Sequence, residues 1–247
     1  MNNFFKFALS SVVLLLSSSV FAQQTNLPGV AVNFGQGTNL VDTIEVLLLF
    51  SVLTLAPAII ILCTSFTRIV VVLSFMRQAL GTQNMPPNQL LIGFALFLSI
   101  FVMMPTGKSI WENSLKPYQA KQIDATKALA GLEKDLRSFM EKHIRKADIG
   151  LFYDVTGEPA PAEVKDVPTH YIIPAFIISE LKTAFQIGFL LYIPFIVLDM
   201  VVASVLMAMG MMMLPPMLVS MPFKLLLFVL VDGWQLVTGA ILRSFNS

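Results

Sequence analysis

Residues 187–209 read Ile187-Gly188-Phe189-Leu190-Leu191-Tyr192-Ile193-Pro194-Phe195-Ile196-Val197-Leu198-Asp199-Met200-Val201-Val202-Ala203-Ser204-Val205-Leu206-Met207-Ala208-Met209, with one Asp, Glu, Lys or Arg, Asp199. A helix needs about 17–25 predominantly apolar residues to cross a bilayer, and this stretch qualifies. Three further apolar segments flank it: Val46–Cys63, Leu90–Met104, which is short for a span, and Met217–Leu242, which contains Lys224 and Asp232. A run from Ile69 to Met76, between Arg68 and Arg77, is too short to cross. The pattern predicts an all-α integral-membrane protein with one hydrophobic helical hairpin at 45–107 and a second at 186–247.

The whole chain of 247 residues is 56% hydrophobic and only 13% charged, against about 25% charged in soluble domains. A formal net charge of +1 gives no basic groove for nucleic acid, and the single cysteine, Cys63, excludes an intrachain disulfide framework or a multi-cysteine metal cluster. Of the 31 Lys, Arg, Asp and Glu residues, 22 fall between Lys108 and Lys182. A polar domain at 108–185 is therefore expected between the two apolar regions.

Met1 to Ala22 carries one lysine, an apolar core from Phe7 to Leu16 and small residues before Gln23, the pattern of a secretory signal peptide cut after Ala22. The Gly/Asn/Gln-rich stretch that follows reads as a flexible outer arm at 23–44. A four-pass path from outside then puts Arg68, Arg77 and the Met207–Lys224 turn in the cytoplasm and the polar domain in the periplasm, in agreement with the positive-inside rule. A re-entrant hairpin is the alternative for the first two segments. Pro57, Pro194 and Pro222 would leave backbone groups unpaired in lipid, which favours cover by neighbouring protein. Met85-Pro86-Pro87 and Leu214-Pro215-Pro216 suit two hairpin turns, although chance explains the echo equally well.

In the polar domain the pattern predicts helices from Lys108 to about Tyr118 and from Gln122 to Ala147, broken at Pro117. Leu129, Leu132, Leu136, Phe139, Met140 and Ile144 form a stripe at helical spacing, suited to the domain's own core and in part, with Phe152, to a neighbouring subunit. Gly157 to Pro161 reads as a surface loop, with the chain returning to the membrane at Pro174. His143 and His170 belong to no metal or catalytic motif and read as solvated, and no phosphate loop or nucleophile elbow is present. No cofactor and no enzymatic activity are expected.

Asp199 lies 16 residues before Pro215 and Asp232 16 residues after Pro216, so a hairpin turned at that pair places both carboxylates at a similar depth. Each needs a partner on another segment or subunit, or one must be protonated, since burial and a like charge both raise a carboxyl pKa. Pairing between subunits is the favoured reading, because Lys224 stands about 12 Å along a helix from Asp232. Proton relay and buried structural hydrogen bonds are the alternatives. Seven of the 14 methionines, Met207, Met209, Met211, Met212, Met213, Met217 and Met221, occupy 15 residues. Flexible thioethers at that density suit a conformable seal; a gap-filling turn or a Cu(I) site are the other readings.

Three long stretches carry a resemblance: Ser65 to Gln83 (SFTRIVVVLSFMRQALGTQ), Pro174 to Gly188 (PAFIISELKTAFQIG), and Met209 to Lys224 with Val231-Asp232-Gly233-Trp234-Gln235. They resemble the FliP/SctR family of type III export-gate proteins over roughly residues 40–247. The resemblance implies a pore-forming subunit of a flagellar protein export gate in the basal body at the inner membrane. It implies a ring of five copies with FliQ and FliR, other basal-body partners, and unfolded export substrates passing through. It further implies that the apolar helices end in an assembly raised out of the bilayer, with Met209, Met211, Met212 and Met213 at a constriction and Phe139, Phe152 and Glu180 at contacts between copies. A proton-coupled transporter subunit using Asp199 or Asp232 is the competing function.

Overall fold

The computed structural model describes residues 44, 50, 51, 54, 55, 57–82, 85–161, 163–211 and 213–246. The expected signal peptide, nearly all of the arm, and Met212 lie outside these residues. The chain divides after Phe50, and the larger unit begins at Ser51. Residues 57–62 are helical, and the helices that follow are α1 (Phe66–Ala79), α2 (Asn88–Val102), α3 (Met104–Ile110), a π-helical turn (Trp111–Leu115), α4 (Lys116–Gln119), α5 (Ala125–His143), α6 (Lys146–Thr156), a short 3-10 turn (Val164–Asp166), α7 (Thr169–Ala208), α8 (Pro216–Leu230) and α9 (Gly233–Arg243). No strand occurs among the described residues. The all-α expectation holds.

The spine is α7, a helix of 40 residues interrupted by neither Pro174 nor Pro194. At about 1.5 Å per residue it is about 60 Å long, twice the hydrocarbon thickness of a bilayer. It begins at Thr169, 18 residues before the apolar stretch that marks it in the sequence, so the expected boundary between polar domain and second hairpin falls inside one continuous rod. Each half of the rod serves a different core. Ile172, Ala175 and Phe176 join Phe139 and Met140 of α5, Ile149 and Tyr153 of α6, and Cys63. Further along, Ala184 and Phe195 join Ile69, Val72, Leu73 and Met76 of α1, Leu91, Ala95 and Leu98 of α2, Phe228 of α8, and Val237 and Ile241 of α9.

The run too short to cross a membrane is thus the centre of the apolar core. Ile69, Val72 and Leu73 of α1 are wholly enclosed, and α1 packs against α7 at Gly188. A Cβ at that glycine would lie 2.7 Å from Phe75 Cγ and 2.9 Å from its Cδ2, closer than carbon atoms approach. Gly188→Ala is expected to destabilise the fold by about 1–3 kcal/mol through this overlap. A lowered denaturant midpoint of the solubilised protein would show it; an unchanged midpoint would mean that the two helices separate at no cost.

Bends interrupt two of the expected passes, and the first, Val46–Cys63, lies partly outside the described residues. Only α7 is long and apolar enough to span by itself; α2 with the helical stretch Met104–Gln119 bends by 61°, and α8 with α9 by 66°, giving up to three spans among the described residues. The fourth apolar segment breaks at Asp232, whose φ of 51° and ψ of 49° are left-handed and end the regular helix. Both Pro-Pro pairs do sit at helix starts, Pro87 capping α2 and Pro215 capping α8.

In the polar region Pro117 does not break the helix, because it occupies the first turn of α4, where a missing N–H costs nothing. The break comes at 120–124, and α5 restarts where Asp124 Oδ1 accepts the Lys127 N–H at 3.1 Å. This helix stops at His143 rather than Ala147, since Ile144 (ψ 144°) and Arg145 (ψ 135°) are extended. The expected core stripe is buried only at Phe139 and Met140; Leu129, at the far end of α5, is exposed. His143 is half-buried, donating from Nδ1 to the Phe139 carbonyl at 2.8 Å and packing tilted against Phe139 and edge-on to Phe245, so the solvated reading fits only His170, which is exposed.

Candidate functional site

The turn between α7 and α8 gathers the methionines. Its geometry follows from the backbone: Met211 N–H bonds the Leu206 carbonyl at 3.0 Å and Gly210 N–H the Met207 carbonyl at 3.1 Å, the two bonds of a Schellman cap. That cap requires a left-handed residue, and Gly210, at φ 74°, supplies it without a Cβ clash. Sharp reversal here throws the thioethers outward. Met207, Met209, Met211 and Met217 are exposed and Met213 is 97% exposed, while Met212 lies outside the described residues. Behind the turn, Ala203, Leu206, Met207, Met211, Leu214 and Pro216 line a shallow pocket of about 220 Å³. An apolar, adaptable tip on a capped hairpin is thus presented to whatever lies in front of it.

A polar lock holds the stem of this hairpin. Lys224 Nζ of α8 donates to Asp199 Oδ2 of α7 at 2.6 Å, and Ser220 Oγ donates to Asp199 Oδ1 at 2.5 Å. The ammonium is enclosed, with 2% of the side chain exposed, whereas the Asp199 side chain keeps 28%. Pairing of Asp199 between subunits was the favoured expectation, and the structure corrects it: both carboxylate oxygens find donors in the same chain. Considering Lys224 only as a partner for Asp232 hid this, because the antiparallel return of α8 brings Lys224 beside Asp199 instead. Asp232 is exposed at the α8–α9 elbow and has no side-chain hydrogen bond or ion pair among the described residues.

A second lock ties α1 to α7. Arg68 Nε donates to Glu180 Oε2 at 2.9 Å and Nη2 to Oε1, forming a two-pronged ion pair in which both side chains are almost fully buried. The guanidinium also donates from Nη1 to the Ser244 carbonyl at 2.7 Å and Ser244 Oγ at 3.0 Å, and lies 3.8 Å over the Phe245 ring. Nearby, Ser179 Oγ accepts the Arg145 N–H at 3.1 Å and donates to Asp148 Oδ2 at 2.6 Å, joining α6 to α7. Of the residues expected between copies, Glu180 is enclosed by this pair, Phe139 is buried against Phe176 and Phe245, and Phe152 is half-buried. Sequence reasoning missed the role of Arg68, which it read as a topology signal. An arginine directly before the unbroken apolar run Ile69–Leu73 was the available clue.

What surrounds these locks is apolar and uncovered. In the most hydropathic window of α7 only 11% is buried within the chain, and Phe189, Leu190, Met200, Leu218, Leu226 and Val229 stand exposed. Such a surface is soluble only in lipid or against other protein. Fold and site together define a helical, membrane-associated protein in which one buried ion pair ties α1 to α7 and a second holds the stem of an exposed methionine tip.

The comparisons with known proteins agree with that class. The FliP family matches residues 49–241. The chain is 54% identical over 207 residues to the flagellar biosynthetic protein FliP of Bacillus subtilis (strain 168), covering 84% of this chain and 94% of that protein. Against the flagellar biosynthetic protein FliP of Aquifex aeolicus (strain VF5) it is 45% identical over 238 residues, 96% of this chain and 98% of the relative. Against that of Pectobacterium carotovorum subsp. carotovorum it is 45% identical over 246 residues, 98% and 93% respectively. The chain belongs to the FliP family. It is a membrane-associated component of the flagellar export apparatus and not an enzyme.

Proposed function

We propose that the chain is a pore-forming subunit of the flagellar type III protein export gate at the bacterial inner membrane. Five copies form a ring with FliQ- and FliR-like subunits, the polar domain at 108–185 faces the periplasm, and unfolded flagellar proteins pass through the centre. Met209, Met211, Met212 and Met213 close the passage at rest. The observation that carries this reading is the capped α7–α8 turn with Met213 almost wholly exposed at its tip. An unbranched thioether left in the open has no packing role in its own chain, but a ring of them excludes water at a narrow point and yields to a passing polypeptide. The uncovered faces of α7 and α8 support assembly with copies and partners.

Replacing Met211, Met212 and Met213 by Ala is expected to leave the complex assembled while raising ion permeability of the membrane about tenfold, because the hydrophobic constriction widens. Conductance of assembled complexes at wild-type level would refute the seal. The competing reading, proton transport through Asp199 or Asp232, loses support at Asp199, whose oxygens are both engaged by Lys224 and Ser220. It requires proton flux to vanish on neutralising either aspartate in complexes that still form.

A further inference from the structure

Charge in the polar domain is balanced but not evenly spread. Between Lys108 and Lys182 stand eleven Lys or Arg and eleven Asp or Glu. Lys142 at the end of α5, Lys146 at the start of α6 and Lys165 of the 3-10 turn line one groove of about 550 Å³, together with Glu141, Glu163 and Val164. Arg137 fixes the width of this groove. Its Nη2 donates to the Lys165 and Val167 carbonyls at 2.7 and 2.6 Å, tying the 3-10 turn to α5, while its Nε donates to Glu141 Oε1 at 2.7 Å. With Arg137 and Glu141 committed to each other, three exposed lysines face Glu163 alone.

The other end of α6 carries the reverse. Leu151, Asp154 and Val155 are all exposed at helical spacing, and Glu158 follows just beyond the left-handed Gly157. Val155 is 81% exposed, more than any described large apolar side chain except Met213, so this end offers an apolar pair flanked by two carboxylates. Asp154 has no side-chain hydrogen bond or ion pair among the described residues, and Glu158 Oε2 accepts only the Tyr171 hydroxyl, at 3.4 Å. Asp154 lies about 12 Å along α6 from Lys146, and the rigid helix keeps the two ends apart, so one chain cannot join them. We propose that the polar domains associate head to tail, the acidic end of α6 in one copy seating in the lysine groove of the next. The domain's own balance selects a second copy as the occupant: the groove's positive excess is matched by a negative excess elsewhere on the same surface, whereas a groove kept for a foreign acidic partner would need no such counterpart. Two unlike patches meeting head to tail repeat from copy to copy and close into a ring when the rotation allows. This rests on the ring reading and names the surfaces that order its polar face.

The test uses the assembled complex from cells making two differently tagged copies of the full chain, one with Lys146→Cys and the other with Val155→Cys. A short thiol cross-linker is expected to join the two tags. Lys142→Glu with Lys165→Glu, or Asp154→Lys with Glu158→Lys, should lower the linked yield about tenfold by setting like charges against each other. All four side chains are exposed, so the unfolding midpoint should stay at the wild-type value. Both reversals made together in every copy should restore the link, a rescue within one chain that an unlike partner cannot give. Linkage unchanged by either reversal, no link between copies that still purify together, failure of the combined reversal to rescue, or loss of an unlike protein from the groove with copies still linked would each overturn the inference and leave the ring standing. If the two tagged copies do not purify together even without the reversals, the ring reading itself fails.

Discussion

Glu180→Ala is expected to destabilise the folded chain by about 3–5 kcal/mol, the penalty for leaving a buried charge without its partner. The loss falls on Arg68: its Nε and Nη2 protons lose both carboxylate oxygens in a place that water does not reach, since Arg68 is 2% and Glu180 0% exposed. Ser244 and Phe245 still engage the guanidinium but cannot neutralise it. Thermal or denaturant unfolding of the detergent-solubilised chain measures the effect. Pairing Glu180→Leu with Arg68→Met should recover most of the loss, because an apolar pair of similar volume removes the stranded charge. If Glu180→Ala alone unfolds like the wild type, Arg68 reaches solvent and the lock has no structural weight.

Asp199→Ala comes next, with an expected loss of about 2 kcal/mol, below the full buried-pair penalty because Asp199 keeps 28% of its side chain exposed and water screens the site in part. Lys224, enclosed beneath it, is left with an ammonium facing Ser220 and the α1–α2 turn, where a Cβ on Gly81 would stand 4.0 Å from Nζ. The α7–α8 hairpin should then splay at its stem, and protease sensitivity should rise between 199 and 224 ahead of global unfolding. Asp199→Leu combined with Lys224→Met is expected to restore the stem. Should the double variant prove as unstable as Asp199→Ala, the pair acts through geometry rather than charge.

Apolar segments were legible in the sequence because transfer to lipid depends on composition summed over a window, and composition is visible without a fold. Helix ends were less so. Thr169 as the start of α7 was hidden by Pro174, which reads as the return to the membrane although the rod begins five residues earlier, and the end of α5 depends on the extended backbone at Ile144 and Arg145. Ion pairs were least legible of all. Arg68 and Glu180 are 112 residues apart, and Asp199 and Lys224 are joined only because α8 folds back along α7. Periodicity reports which face of a helix is buried and nothing about which helix covers it. The methionine turn was readable as a cluster, but its outward presentation follows from the Gly210 cap, a left-handed residue that a local motif cannot place without the carbonyls it serves.

Arg68 draws two of its partners from Ser244, 176 residues further along the chain. The ribosome delivers α1 to the membrane long before it makes that serine, and for the whole interval the arginine is a cation in a greasy nascent chain. Headgroups or the insertion machinery must solvate it until Glu180 has been made, and the Ser244 contacts come later still. Enclosure of the arginine is therefore complete only once Ser244 has been made, and a chain terminated ahead of Ser244 is expected to be handed to membrane proteases instead of to assembly.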